Sequence, residues 1–176
     1  MTRNFRNRKA VSAGLLTGLF LLVLLPVRGA DAAEDDKWKV VCKQENDPQT
    51  CHIEQRLFLN KSIGGDAQNV GQILSVSVFY TGSEARKPFI VMQLPLGVDL
   101  GAGMVLQIDQ SPEMKAPFSK CTKAGCEVHS LLTEALLADL KKGNTLKVGF
   151  RPFGVERLMV VKADLVGFTR AFSWLD

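Results

Sequence analysis

The chain has 176 residues, with 22 Lys and Arg against 18 Asp and Glu and a formal charge of +4. The surplus sits at the start: Arg3, Arg6, Arg8, Lys9 and Arg28 face one acid, Asp31, within residues 1–32, so residues 33–176 carry 17 charges of each sign. A balanced chain of that size suffices for one domain with a real core, and its charge gives no support to nucleic-acid binding.

After the basic start, residues 10–27 carry no charge and are rich in leucine, and Ala30-Asp31-Ala32 follows. Basic, apolar and small-residue regions in that order form the pattern of a secretory signal peptide cut after Ala32. The uncharged run reaches the lower limit of a bilayer span, but Pro26 and the small residues behind it favour cleavage. The expected organisation is a signal peptide over 1–32 and one exported domain over 33–176, with no stable membrane span after cleavage.

All four cysteines, Cys42, Cys51, Cys121 and Cys126, lie in the exported part, where an even number reads as a disulfide framework. Of the three connectivities, local pairing of 42 with 51 and 121 with 126 is expected, because each pair flanks polar or turn-forming residues between strand-like segments. Cys121 and Cys126 are spaced for a bridge across a hairpin end, with Cα atoms in the roughly 4.4 to 6.8 Å range of disulfides. The competing reading is zinc on Cys121, Cys126 and His129. That spacing is not a standard finger, and an oxidising compartment consumes thiols, so no metal and no cofactor are expected.

In chain order, Trp38, Val40 and Cys42 mark a half-buried strand, and Lys43 to Thr50 a polar turn. From Cys51 to Asn60, Ile53, Leu57 and Leu59 share a face with Gln55, while His52, Glu54 and Arg56 take the other. Gln55 reads as a buried amide satisfying backbone groups near a strand irregularity, in preference to a ligand contact. After a turn at Gly64-Gly65-Asp66, Leu74, Val76, Val78 and Tyr80 give the clearest two-residue alternation in the chain. Residues 88–95 read as an apolar strand buried on both faces and bracketed by Pro88 and Pro95. Met104, Leu106 and Ile108 alternate next, and the glycines before them, at 97, 101 and 103, match no phosphate-loop spacing.

Past the Cys121–Cys126 hairpin, Ser130 is the expected N-cap of an amphipathic helix through Leu140, closed by Lys141, Lys142 and Gly143. Leu146 to Phe150 and Leu158 to Val161 are the last strand pair, and Leu165, Phe168, Phe172 and Leu175 suit a short terminal helix or cap. Seven or eight short strands with one good helix predict a mainly β fold, an antiparallel sandwich immunoglobulin-like in general architecture.

Catalytic signatures are missing. His52 and His129 are the only histidines, neither lies in a hydrolase motif, and Gly-x-Ser-x-Gly, His-Glu-x-x-His and Ser-x-x-Lys do not occur. His52 reads as an outer-face residue and His129 as a residue just ahead of a helix cap. A non-enzymatic protein is expected; a periplasmic enzyme handling a small molecule or a metal, resting on Gln55, His129 and the nearby cysteines, is the alternative.

The ordered set Trp38-x-Val40-x-Cys42, Cys51-x-Ile53-x-Gln55, Leu94-Pro-Leu-Gly97-Val-x-Leu100, Phe118-x-x-Cys121-x4-Cys126 and Leu165-x-Gly167-Phe168-x-x-Ala171 resembles the invasion-associated locus B family of bacterial exported proteins. The likeness runs from Trp38 to Leu175. It implies a β-rich periplasmic or envelope-associated domain of a Gram-negative bacterium that binds another protein or an envelope component. The family is named after a member linked to bacterial entry into host erythrocytes, and it brings no agreed catalytic residues. Around Ala163-Asp164 this chain lacks the proline and small hydroxyl residue expected of the family.

Overall fold

Period-two alternation shapes most of the chain. A computed structural model describes residues 37–44, 47–63, 66–82 and 86–176, all within the compact unit Ala33–Asp176. The expected signal peptide and the glycines of the turn at 64–65 lie outside the described residues. Ten strands form among them: β1 Lys39–Cys42, β2 Cys51–Ile63, β3 Asp66–Thr81, β4 Lys87–Leu94, β5 Met104–Ile108, β6 Met114–Ala116, β7 Lys120–Thr122, β8 Gly125–Leu131, β9 Thr145–Phe150 and β10 Met159–Asp164. Two helices, α1 Glu134–Lys142 and α2 Phe168–Phe172, complete the fold.

The strands make two antiparallel sheets, a six-stranded one in the order β1-β2-β3-β4-β8-β7 and a four-stranded one in the order β10-β9-β5-β6. The mainly β, two-sheet architecture is the expected one, but the strand order is its own. Residues 74, 76, 78, 90, 92 and 94 of the larger sheet and 104, 106, 108, 146 and 148 of the smaller are buried in one shared core. Fully burying an aliphatic side chain of this kind stabilises by roughly 1.5 to 3 kcal/mol. Tyr80, the last residue of the Leu74 alternation, and Leu136 of α1 are only partly buried against it.

Four local expectations are corrected. Ser130 is not a helix cap: β8 continues through it, opposite Ile90 of β4. The cap is Thr133, whose hydroxyl accepts the Leu136 N–H at 3.2 Å, and sheet pairing, which local spacing does not reveal, decides between the two. His129 accordingly lies inside β8, opposite Val91. The β4 strand is buried on one face only, since Phe89, Val91 and Gln93 are half-buried, and Pro88 lies inside it rather than ahead of it. Leu59 does not share the buried face of Ile53 and Gln55, because register shifts between Leu57 and Phe58 and between Leu59 and Asn60 interrupt the alternation, leaving Leu59 exposed.

Glycine is required at two close approaches. A Cβ on Gly125, at the start of β8, would stand 2.2 Å from the Leu94 carbonyl oxygen. One on Gly143, which ends α1, would stand 2.6 Å from an Ile108 methyl. Helix α1 thereby lies close over the sandwich: Leu136 and Leu140 line a small cavity of about 170 Å³ together with Ile90, Met92 and Leu106. Helix α2 lies beside the end of α1, where the Thr169 hydroxyl donates to the Lys141 carbonyl at 2.8 Å; its Phe168 meets Trp38 edge-on at 5.0 Å and its Phe172 meets Tyr80 at 5.6 Å.

Candidate functional site

Both disulfides belong to the six-stranded sheet. Cys42 is bonded to Cys51 and Cys121 to Cys126, the local pairing read from the sequence. Each joins residues directly opposite one another on adjacent strands, with Cα atoms 3.9 and 4.0 Å apart, closer than expected. Because β1 and β7 are the outermost strands, the two bridges lock both edges of this sheet.

Between the locked edges lies the sheet's outer face. The inward residues Ile53, Val76, Val78, Ile90, Met92 and Val128 are buried, so their neighbours point away from the core. Register places His52, Phe79, Phe89 and Leu131 in one row across β2, β3, β4 and β8, and Glu54, Ser77, Val91 and His129 in the next. Phe79 and Phe89 are 5.6 Å apart, and Phe89 meets the His129 ring edge-on at 6.0 Å. An aromatic and aliphatic strip therefore runs across the middle of a face with charges at both ends. Beside it, above the Cys42–Cys51 bridge, an open groove of about 460 Å³ is lined by His52, Ser77, Phe79, Tyr80 and Val91 among others. That volume lies in the range of small-molecule sites.

The charges are organised as matching pairs. On β2, Glu54 accepts from Arg56 at 2.9 Å and lies 3.7 Å from the His52 ring. On β8, Glu127 is held by the His129 ring and by Lys120 of β7, the latter at 3.3 Å. Burial pushes the Glu127 carboxyl up, but hydrogen bonds from His129 and Lys120 outweigh it and hold the group below its ordinary value. Tyr80 is pushed up to about 12, first by burial and then by its hydrogen bond to Asp176, whose oxygen accepts the phenol O–H at 2.6 Å.

Gln55 faces the opposite way, into the sandwich. Its amide donates to the Asp164 carbonyl and its oxygen accepts the Asp164 N–H, both at 2.9 Å, and the Trp38 indole donates to the same carbonyl at 2.7 Å. This is the buried, backbone-satisfying amide that the sequence suggests, two residues from a register shift. Gln55 is thus tied to Asp164, His129 to Glu127, and all four cysteines are oxidised. Among the described residues no three His, Cys, Asp or Glu side chains gather as a metal-binding group, and no described helix is long and apolar enough to cross a membrane.

The outer-face role of His52 was legible in the sequence, whereas Phe79, Phe89 and Glu127 went unnoticed as members of one surface. Their signal was parity: each occupies the off-beat of an alternation whose on-beat is apolar, so it is a large side chain that the core does not need.

Known proteins resemble this chain over most of its length. Two proteins of Brucella abortus, from strain 2308 and from biovar 1 strain 9-941, each described as an invasion protein B homolog, are 25% identical over 136 residues, covering 77% of this chain and 73% of theirs. The crystal structure of invasion associated protein B from Bartonella henselae has the same fold, with a TM-score of 0.62 at 19% identity, over 80% of this chain and 92% of that one. The model of the invasion associated locus B (IalB) protein family matches residues 38–176, and the chain belongs to that family.

Proposed function

We propose that this protein is exported to the periplasm or outer envelope of a Gram-negative bacterium and works there, without catalysing a reaction, by binding another protein or an envelope component. The leader over residues 1–32 is the signal for that export, residues 33–176 are the working domain, and the two disulfides suit an oxidising compartment. The outer face of the six-stranded sheet supports the binding reading. Phe79, Phe89, Val91 and Leu131 form an apolar strip on a solvent side where sheet residues are ordinarily polar. An apolar centre rimmed by Glu54, Arg56, Glu127 and Lys120 has the composition of a protein-binding surface, which favours a protein over a small ligand. A role in host-cell contact draws only on the names of the relatives.

Crosslinking in intact cells tests this reading, with the wild-type protein compared with a Phe79→Ser/Phe89→Ser variant. Crosslinks to a defined partner should persist in the wild type and disappear in a variant that keeps both disulfides and its unfolding midpoint. Retention of every crosslink by that folded variant would remove the outer face from the binding reading, and recovery of the full-length chain from the cytoplasm would remove the export.

A further inference from the structure

The four-stranded sheet ends at β10, which among the described residues pairs with β9 on one side and with no strand on the other. At Asp164 the open side is filled by Gln55 and Trp38, which bond its backbone N–H and C=O. Outward-pointing backbone groups recur at every second residue of an antiparallel strand, and the β9–β10 register is unbroken. The N–H and C=O groups of Lys162 and Val160 therefore point the same way as those of Asp164, and no described residue bonds them there. Val160 and Met159 are also half-exposed apolar side chains, at 52% and 49%. Beside this edge runs an open groove of about 330 Å³, between β10 of one sheet and β1 and β2 of the other. It is lined by four cations, Lys37, Lys39, Arg56 and Lys162, and one acid, Asp164. Asp164 pairs with Lys37, and Arg56 is held by Glu54. Among the described residues Lys39 and Lys162 make no ion pair.

We infer that this edge is a binding site for an extended acidic segment of a partner protein, which adds as a strand along β10 and sets its carboxylates against Lys39 and Lys162. Strand addition supplies main-chain hydrogen bonds at Val160 and Lys162, and side chains supply the selectivity. The same charges argue against a second copy of this chain, since edge-to-edge pairing would bring each Lys162 toward the partner's identical cationic groove. The site is separate from the outer face and rests on different observations, so either can fail alone.

The test uses isotope-labelled protein spanning residues 33–176 and two end-blocked octapeptides, one alternating threonine with glutamate and the other threonine with glutamine. The acidic peptide should shift the amide resonances of Val160 and Lys162 ahead of those of His52 or Phe79. The glutamine peptide should bind about tenfold more weakly or worse, as should the acidic one to a Lys39→Glu/Lys162→Glu variant. Val160→Pro removes an N–H that β9 does not use, so it should weaken binding while preserving the fold. Shifts confined to the outer face, or an affinity untouched by the charge reversals, would overturn the inference. So would a concentration-dependent dimer abolished by Val160→Pro, which assigns the edge to a second copy. Binding seen only after Glu34→Gln/Asp35→Asn/Asp36→Asn would likewise overturn it, by assigning the groove to the chain's own acidic residues.

Discussion

The two sheets treat their edges differently. In the six-stranded sheet the outermost strands have four and three residues, and each is bonded covalently to its neighbour by a disulfide. In the four-stranded sheet β10 has six residues, and among the described residues only its last is closed, by an amide, an indole and a lysine. Short and fixed edges give other chains little to pair with, whereas a longer unpaired edge is a template. Covalent closure is also indifferent to pH and to partners, while closure by side chains can be competed away. One sheet is thus sealed where it is stapled, at β1 and β7, although β2 runs on past β1 from Gln55 to Ile63, and it presents a face; the other leaves a side accessible.

The strongest way to break this contrast is at Trp38, which is 2% exposed, packs on Phe168 and bonds Asp164 across the open side. Trp38→Ala should cost about 3 to 5 kcal/mol through lost burial and the cavity left behind, read as a lower denaturation midpoint. An unchanged midpoint would mean that Gln55 alone closes the end of β10. Removing a staple should cost less. On the chain-entropy model each bridge contributes about 2 to 3 kcal/mol, more for Cys42–Cys51, with nine residues of separation, than for Cys121–Cys126, with five. Replacing Cys121 and Cys126 by serine should release β7 and leave α1 in place, because α1 starts from Thr133 beyond the end of β8. Amide exchange checks this, and equal loss of protection in β7 and α1 would show that the staple governs the helix start.

Local chemistry was legible and long-range chemistry was not. Alternation from Leu74 to Tyr80 identified β3 because one face of a sheet must be apolar, and cysteines flanking turns identified their own partners because hairpin pairing is local. The parity of Gln55 revealed that it is buried, but its partner Asp164 lies 109 residues away, and nothing in the sequence near either residue names the other. Asp164 also falls where this chain departs from the residues expected of its family, and it is there the point at which three side chains close the sandwich. Ser130 misled because a hydroxyl ahead of a leucine stripe satisfies the local rule for a cap, while its place opposite Ile90 is fixed by β4, some forty residues earlier. The outer-face strip was missed for a related reason: Phe79 and Phe89 come together only once β3 and β4 pair.

The smallest expected effect makes the sharpest comparison, because each sheet has a carboxylate held below its ordinary value at an edge, and only one of them is backed by a disulfide. Asp164 is held down first by the hydrogen bond from Lys37 and next by the Val166 N–H. Glu127, resisted by its burial, is held down by His129 and by Lys120, its opposite number on β7. A depressed folded-state pKa contributes stability above the unfolded value and loses it as pH falls through the folded value, so acid should weaken both edges. Lys37 and Asp164 are 60% and 30% exposed in their side chains, and solvent-screened pairs of this kind are worth about 1 kcal/mol or less. Acidification should therefore raise amide exchange at Val166, whose N–H is bonded to the Asp164 carboxylate at 2.9 Å, while the β7–β8 amides stay protected by the Cys121–Cys126 bridge. Lys37→Ala at neutral pH should reproduce the loosening at Val166 without acid. If both edges loosen together as the pH falls, the disulfide is not what distinguishes them, and the contrast between a sealed sheet and an accessible one fails at β7.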